Sequence, residues 1–224
     1  MTAPRGDGAI GELAVKPRCR GVLHQGAFFV AIVVAPLLLL SADAFRARLA
    51  AAVFALSVAG CFGASALYHR VTWAPPVRRW MRRVDHAGIY LLIAGTYTPV
   101  SLLVLDRTLG RVILTVVWAG ALAAILLKFA WLDAPKWVSA AVGMALGWFA
   151  VVALPQLLER LQPSALTLLI VGGLLYSLGG IVYARRKPDP LPRVFGYHEV
   201  FHALTIAAAT CQYVAIALFV IRPA

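Results

Sequence analysis

Residues 197–224 read YHEVFHALTIAAATCQYVAIALFVIRPA, and the reading of this segment decides what kind of chain it belongs to. Its first residues contain His-Glu-x-x-His, His198 to His202. On a helix this spacing sets two imidazoles on one face, and it is the zinc signature of metalloproteases. Beyond His202 the chain is an apolar run with no Asp, Glu or His down to its end. Zinc proteases of the common kinds take a third ligand from downstream of the motif, and none is available here. The run is instead long enough to cross about 30 Å of hydrocarbon as a helix. The segment reads as the last membrane span of a polytopic chain that carries two histidines at its start.

The composition agrees with that reading. Of 224 residues, 62% are hydrophobic and only 13% charged, against about a quarter charged in a soluble domain. Three scattered cysteines, Cys19, Cys61 and Cys211, do not make a disulfide framework. The net charge of +12 would fit nucleic acid if a basic domain stood outside the apolar runs, but no such domain is present, and no nucleic-acid partner is expected. The basic residues lie between apolar runs, where they orient the chain in a bilayer and meet anionic lipid headgroups.

Outward from the last span, the apolar runs and their polar breaks predict seven helices over 23–42, 47–69, 84–105, 109–129, 137–155, 164–184 and 198–221. The expected fold is an all-α bundle of seven transmembrane helices over 23–224, preceded by a basic tail over 1–22 with no removable signal peptide. The first span is expected to act as its own insertion signal. Pro36 and Pro99 fall inside spans, where neighbouring helices can satisfy the freed backbone groups. GMALG, Gly143 to Gly147, is a small-xxx-small pattern that predicts close helix contact.

Lys and Arg set the orientation. Fifteen of the 21 fall in the tail and in the loops after spans two, four and six, and six fall on the other side. Positive residues favour the cytoplasm, so the N-terminus is expected inside and the C-terminus outside, with the chain in a bacterial-type plasma membrane. All five histidines then share one layer near the cytoplasmic face. His24 opens span one, His69 closes span two, His86 opens span three beside Asp85, and His198 and His202 open span seven. With no ligand downstream of His202, His69 is the best-placed third imidazole. Three imidazoles and one open position make a catalytic type of zinc site, with Asp85 placed to hold a water or orient a ligand. Ser65 lies one turn before His69. Trp73, Trp80, Trp131 and Trp137 are expected to form part of an aromatic belt at the cytoplasmic boundary, and His24 and His86 to be either supporting partners of the site or hydrated interfacial groups.

Three stretches in this order, SALYH (Ser65 to His69), DHAGIYLLIAGTYTP (Asp85 to Pro99) and HEVFHALTIAAA (His198 to Ala209), resemble the hemolysin III branch of the progestin and adipoQ receptor family. That family is similar in fold to the alkaline ceramidases. The resemblance implies a zinc ion held by His69, His198 and His202, with Ser65 and Asp85 beside its water. The receptors carry Gln at the position of Glu199, and their long N-terminal extension is not expected in this chain.

Three functions are expected from these readings. The first is a zinc hydrolase of a lipid amide or ester, ceramide-like or another acyl lipid, active in membrane lipid homeostasis. In it Asp85 is the general base, Glu199 the alternative base, and Ser65 a donor to the developing oxyanion. The second is a membrane-state sensor or receptor with a structural zinc. The third, from the hemolysin name, is a pore-forming cytolysin, which needs a continuous polar stripe through the spans. Outside the histidine layer the spans offer only Ser, Thr, aromatic residues and Gln212.

Overall fold

The computed structural model describes residues 16–222, so most of the expected tail lies outside the described residues. Among the described residues, seven helical segments are long and apolar enough to cross a membrane. In order they are α1 (Val22–Leu40), α2 (Phe45–Arg70), α3 (Pro75–Leu103), α4 (Arg107–Ala130), a composite fifth span, α7 (Pro163–Arg185) and α8 (Tyr197–Ala215). The fifth span consists of α5 (Lys136–Trp148), a 3-10 turn over Phe149–Ala153 and α6 (Leu154–Arg160). A π turn, Ile216–Val220, prolongs α8. The chain is an integral multi-pass membrane protein with an all-α seven-helix bundle.

Central helix α2 packs between α1 and α3, α4 lies against α3, and α7 lies against α8. The face of α2 toward its neighbours is rich in small residues, among them Ala47, Ala50, Ala51 and Ala55, all buried. A Cβ at Gly95 of α3 would stand 2.1 Å from Ser57 Oγ and 3.4 Å from the Val53 carbonyl oxygen of α2. That approach is closed to any other residue, as at small-residue contacts between membrane helices generally. By contrast, Gly143 and Gly147 make no close helix contact. The nearest atom to a Cβ at Gly143 is Ile93 Cδ1 at 3.8 Å, and nothing lies within 4 Å at Gly147. The GMALG expectation is therefore corrected. These glycines border an internal cavity, and the tight seam lies between α2 and α3.

Most helix ends fall within two residues of expectation. The exceptions are the fifth span, which ends at Arg160, five residues beyond the expected 155, and α3, which begins at Pro75, nine residues before the expected 84. Pro75 and Pro76 occupy the first helical positions, where a missing N–H costs nothing. The added turns carry Arg78, Arg79, Arg82 and Arg83 beside Val77, Trp80 and Val84. This is an amphipathic cationic helix at the bundle's end, too polar to register as part of an apolar run. Trp80, Trp131 and Trp137, at the same end, are all exposed.

At the opposite end Asp106 caps α4, accepting from the N–H groups of Thr108 and Leu109 at 2.8 and 2.9 Å. The Leu109 N–H, then the Gln156 amide and the Thr108 N–H, hold its carboxyl below the usual carboxylate range. The Gln156 bond ties α6 to the start of α4.

Candidate metal centre

The site is assembled where α1, α2, α3 and α8 meet at the cationic end of the bundle. α2 supplies Ser65 and His69 from its last turns, and α3 supplies Asp85 and His86 as it leaves its amphipathic extension. The first turns of α8 supply His198 and His202, and α1 supplies His24. Gly21, just before α1, takes a left-handed φ of 81°, and a Cβ there would lie 2.6 Å from His69 Cβ. The turn into α1 thus packs directly on the His69 stem, which only glycine permits.

His69, His198 and His202 each present a ligand atom within 4.8 Å of the others'. His198 Nε2 and His69 Nε2 stand 3.1 Å apart. The N···N edge of a tetrahedral zinc site with bonds of 2.0–2.1 Å is about 3.3 Å. Buried His202 Nδ1 has no hydrogen-bond partner among the described residues, although buried ring nitrogens ordinarily have one. A donor set of converging imidazoles that includes an orphaned nitrogen fits a divalent transition metal. This buried histidine group could bind a metal.

Asp85 Oδ2 lies 3.7 Å from His69 Nε2. Ser65 Oγ is buried and makes no hydrogen bond within the described residues. Both line, together with His198 and His202, a cavity of about 540 Å³. Its other walls are largely apolar, from Ile89 and Ile93 of α3 through Met144 of α5 to Leu166 and Leu169 of α7. Gln212 of α8, among its lining residues, lies fourteen positions beyond His198, about 21 Å at 1.5 Å per residue. Tyr97 spans its side from α3, its hydroxyl donating to the carbonyls of Leu146 and Gly147.

Two supporting residues depart from expectation. Glu199, expected as the alternative base, points away from the cavity. Its Oε1 accepts from Arg20 Nε at 2.5 Å and its Oε2 from the Gly196 N–H at 2.8 Å. The carboxylate is wholly buried in closing the N-terminus of α8 and fixing the segment before α1, with each oxygen already engaged in a structural bond. His24 is 3% exposed and so is not an interfacial, hydrated group. Its ring stacks on His202 at 3.7 Å between centroids and 6° between planes, and neither of its nitrogens has a partner among the described residues. His86 Nδ1 donates to the Arg82 carbonyl at 2.5 Å, which leaves Nε2 as the acceptor facing the Tyr183 hydroxyl at 3.5 Å.

The sequence reading missed Arg20, Lys136, Tyr183 and Tyr197 as site neighbours, since the two cations counted only as orienting charge. All four line the cavity. Their position at the inner ends of spans on the histidine side was the available signal.

Fold and site define a class: a seven-span membrane protein with a buried trihistidine cluster opening into an apolar cavity. The chain belongs to the haemolysin-III-related family, whose model matches residues 13–213. It is similar to Hemolysin-3 of Bacillus cereus, 32% identical over 193 residues, covering 84% of this chain and 85% of that one. It is also similar to a Hemolysin-3 homolog of Bacillus subtilis (strain 168), 29% identical over 170 residues and 76% of each chain. The Adiponectin receptor protein of Drosophila melanogaster is 29% identical over 178 residues, 68% of this chain and 38% of that one. No solved structure matches the chain.

Proposed function

We infer that the protein is a zinc-dependent intramembrane hydrolase that cleaves the amide or ester of an acyl lipid. One observation carries this reading: His198 and His202 of the trihistidine cluster, with Asp85 and Ser65, border one largely apolar cavity inside the bundle. A soluble substrate gains nothing from such walls, whereas acyl chains fit them. His69, His198 and His202 would hold the zinc, which supplies the Lewis acidity that makes water a nucleophile at neutral pH.

The chain's own residues supply the remainder. Asp85 accepts the proton of the attacking water and returns it to the departing amine or alcohol, while the acyl carbon gains the hydroxyl and loses its C–N or C–O bond. The unpartnered Ser65 hydroxyl donates to the oxygen on which charge develops. His24 braces the His202 ring by stacking. Glu199 takes no part in the proton transfer, because Arg20 and the α8 cap occupy it. Asp85 lies 3.7 Å from His69 Nε2, which supports a role beside the cluster.

The test is to reconstitute the purified chain with zinc and assay a broad panel of acyl lipids for released fatty acid. Release by the wild type and none by His69→Ala is expected. Equal release by both, or none by either, would overturn the reading. Zinc bound in wild type and absent from His198→Ala checks the ligand set independently of turnover.

A further inference from the structure

Three cations line the mouth of the cavity at its histidine end: Arg20, Arg82 and Lys136. Two are matched by carboxylates, Arg20 by Glu199 at 2.5 Å and Arg82 by Asp133 at 2.8 Å. Lys136, the first residue of α5, has no carboxylate partner among the described residues. It is held by aromatic groups instead. Its Nζ donates to the Tyr197 hydroxyl and stands over the rings of Tyr183 and Tyr197, 4.8 and 4.5 Å from their centroids.

These π faces fix where the ammonium stands without consuming its remaining donors. An ammonium has three N–H groups, and Tyr197 takes one. The Tyr197 hydroxyl, accepting from Lys136, keeps its own proton to donate. The box is also coupled to the histidine cluster. Tyr183 and Tyr197 lie 5.9 and 6.1 Å from the His198 ring between centroids, so one aromatic ring separates the ammonium from a cluster member. The result is a positioned, partly buried positive charge with unused donors, at the rim of an apolar cavity beside the proposed reacting centre.

We propose that Lys136, boxed by Tyr183 and Tyr197, receives the phosphate of an acyl lipid's headgroup, which makes the substrate class a phosphate-bearing acyl lipid. A phosphate oxygen accepts charge-assisted bonds from the free Lys136 donors and from the Tyr197 hydroxyl. The acyl chains pass the histidines into the apolar cavity. A neutral headgroup would bury the ammonium's surroundings further and leave its charge unmatched. The substrate class rests on the hydrolase reading, while occupancy of the subsite does not.

The experiment uses the full chain, purified in detergent, and native mass spectrometry of bound lipid. The probes are dioleoyl phosphatidic acid and dioleoylglycerol, which differ only in the phosphate. Wild type is expected to prefer the phosphatidic acid by about tenfold, the worth of one charge-assisted contact. K136M should lose that preference and K136R should retain most of it, with zinc content unchanged in both as the check on folding. R79Q removes an exposed cation outside the cavity and should keep the preference, which separates the subsite from general attraction to a basic face. An unchanged ratio in K136M, or a ratio lost equally in R79Q, overturns the proposal. Inorganic phosphate should bind about 100-fold more weakly than the lipid, since it lacks the chains that the cavity accepts. Comparably tight, Lys136-dependent binding of inorganic phosphate would overturn the lipid assignment. Phosphate preference without lipid turnover would sink the hydrolase reading and leave the subsite standing, and turnover without preference would do the reverse.

Discussion

The single residues that separate chemistry from architecture here are Ser65 and Glu199, both polar, both buried, and opposite in how they are satisfied. Ser65 Oγ has no partner among the described residues, so its hydroxyl is a cost to the fold that only a ligand, water or substrate offsets. Ser65→Ala is therefore expected to leave thermal stability in detergent unchanged or slightly raised, while lowering lipid turnover about 100- to 1000-fold, as loss of one oxyanion donor does. A large loss of stability instead would assign Ser65 to packing. Glu199 reverses the pattern. Removing it strands Arg20 and the Gly196 N–H. Glu199→Ala should cost about 2–3 kcal/mol, below the 3–5 kcal/mol of a fully buried pair because Arg20 keeps 20% exposure. Glu199→Gln, which can still cap Gly196, should cost less and keep turnover per zinc-loaded molecule. A Glu199→Gln protein that is stable, zinc-loaded and inactive would return this residue to the chemistry.

At the scale of helices, what holds the site in place is the α2–α3 seam, since these two elements carry Ser65, His69 and Asp85. Gly95→Ala puts a methyl 2.1 Å from Ser57 Oγ, and the helices must part. A cost of about 1–3 kcal/mol is expected from overpacking, read as a lowered unfolding temperature, and zinc retention should fall with it. Adding Ser57→Gly should restore both, and a double variant no better than Gly95→Ala would place the strain elsewhere. The sequence shows the spans themselves clearly, because apolar run length is a direct consequence of bilayer thickness. It does not show this seam. Gly143 and Gly147 have the small-xxx-small spacing yet border the cavity, while Gly95 meets Ser57 on another helix, a pairing that no local pattern encodes. The start of α3 was obscured for a related reason: four arginines in the stretch from Pro75 to Arg83 interrupt the apolar run without interrupting the helix. The trihistidine cluster was legible because i, i+4 spacing and span parity constrain side chains across the whole bundle. The Lys136 box was not, since charge counting treats a positioned ammonium and a loop lysine alike.

For the molecule as a whole, the cluster, the cavity mouth and the amphipathic start of α3 lie at one end of the bundle, so the side of the membrane they face decides which lipid leaflet the site can reach. Seven spans put the beginning of α1 and the end of α8 on opposite faces. Arg70, Arg78, Arg79, Arg82, Arg83, Lys136, Arg185 and Arg186 all belong to the histidine end, whereas Arg46, Arg48, Arg107, Arg111 and Arg160 mark the other. Translocating the first set would be far costlier than translocating the second, and charge near the span ends sets the topology. The histidine end is therefore expected in the cytoplasm. An alkaline phosphatase reporter, active only outside the cytoplasm, should be active when fused after Arg222 and inactive when fused in the loop between Arg185 and Tyr197. Reversing the charge bias should loosen this preference, through neutral substitutions at Arg78, Arg79 and Arg83 combined with added lysines beside Arg46 and Arg107. The opposite pair of reporter activities in the unaltered chain would place the site at the outer leaflet. The anionic headgroups drawn to the basic end would then have to be sought there.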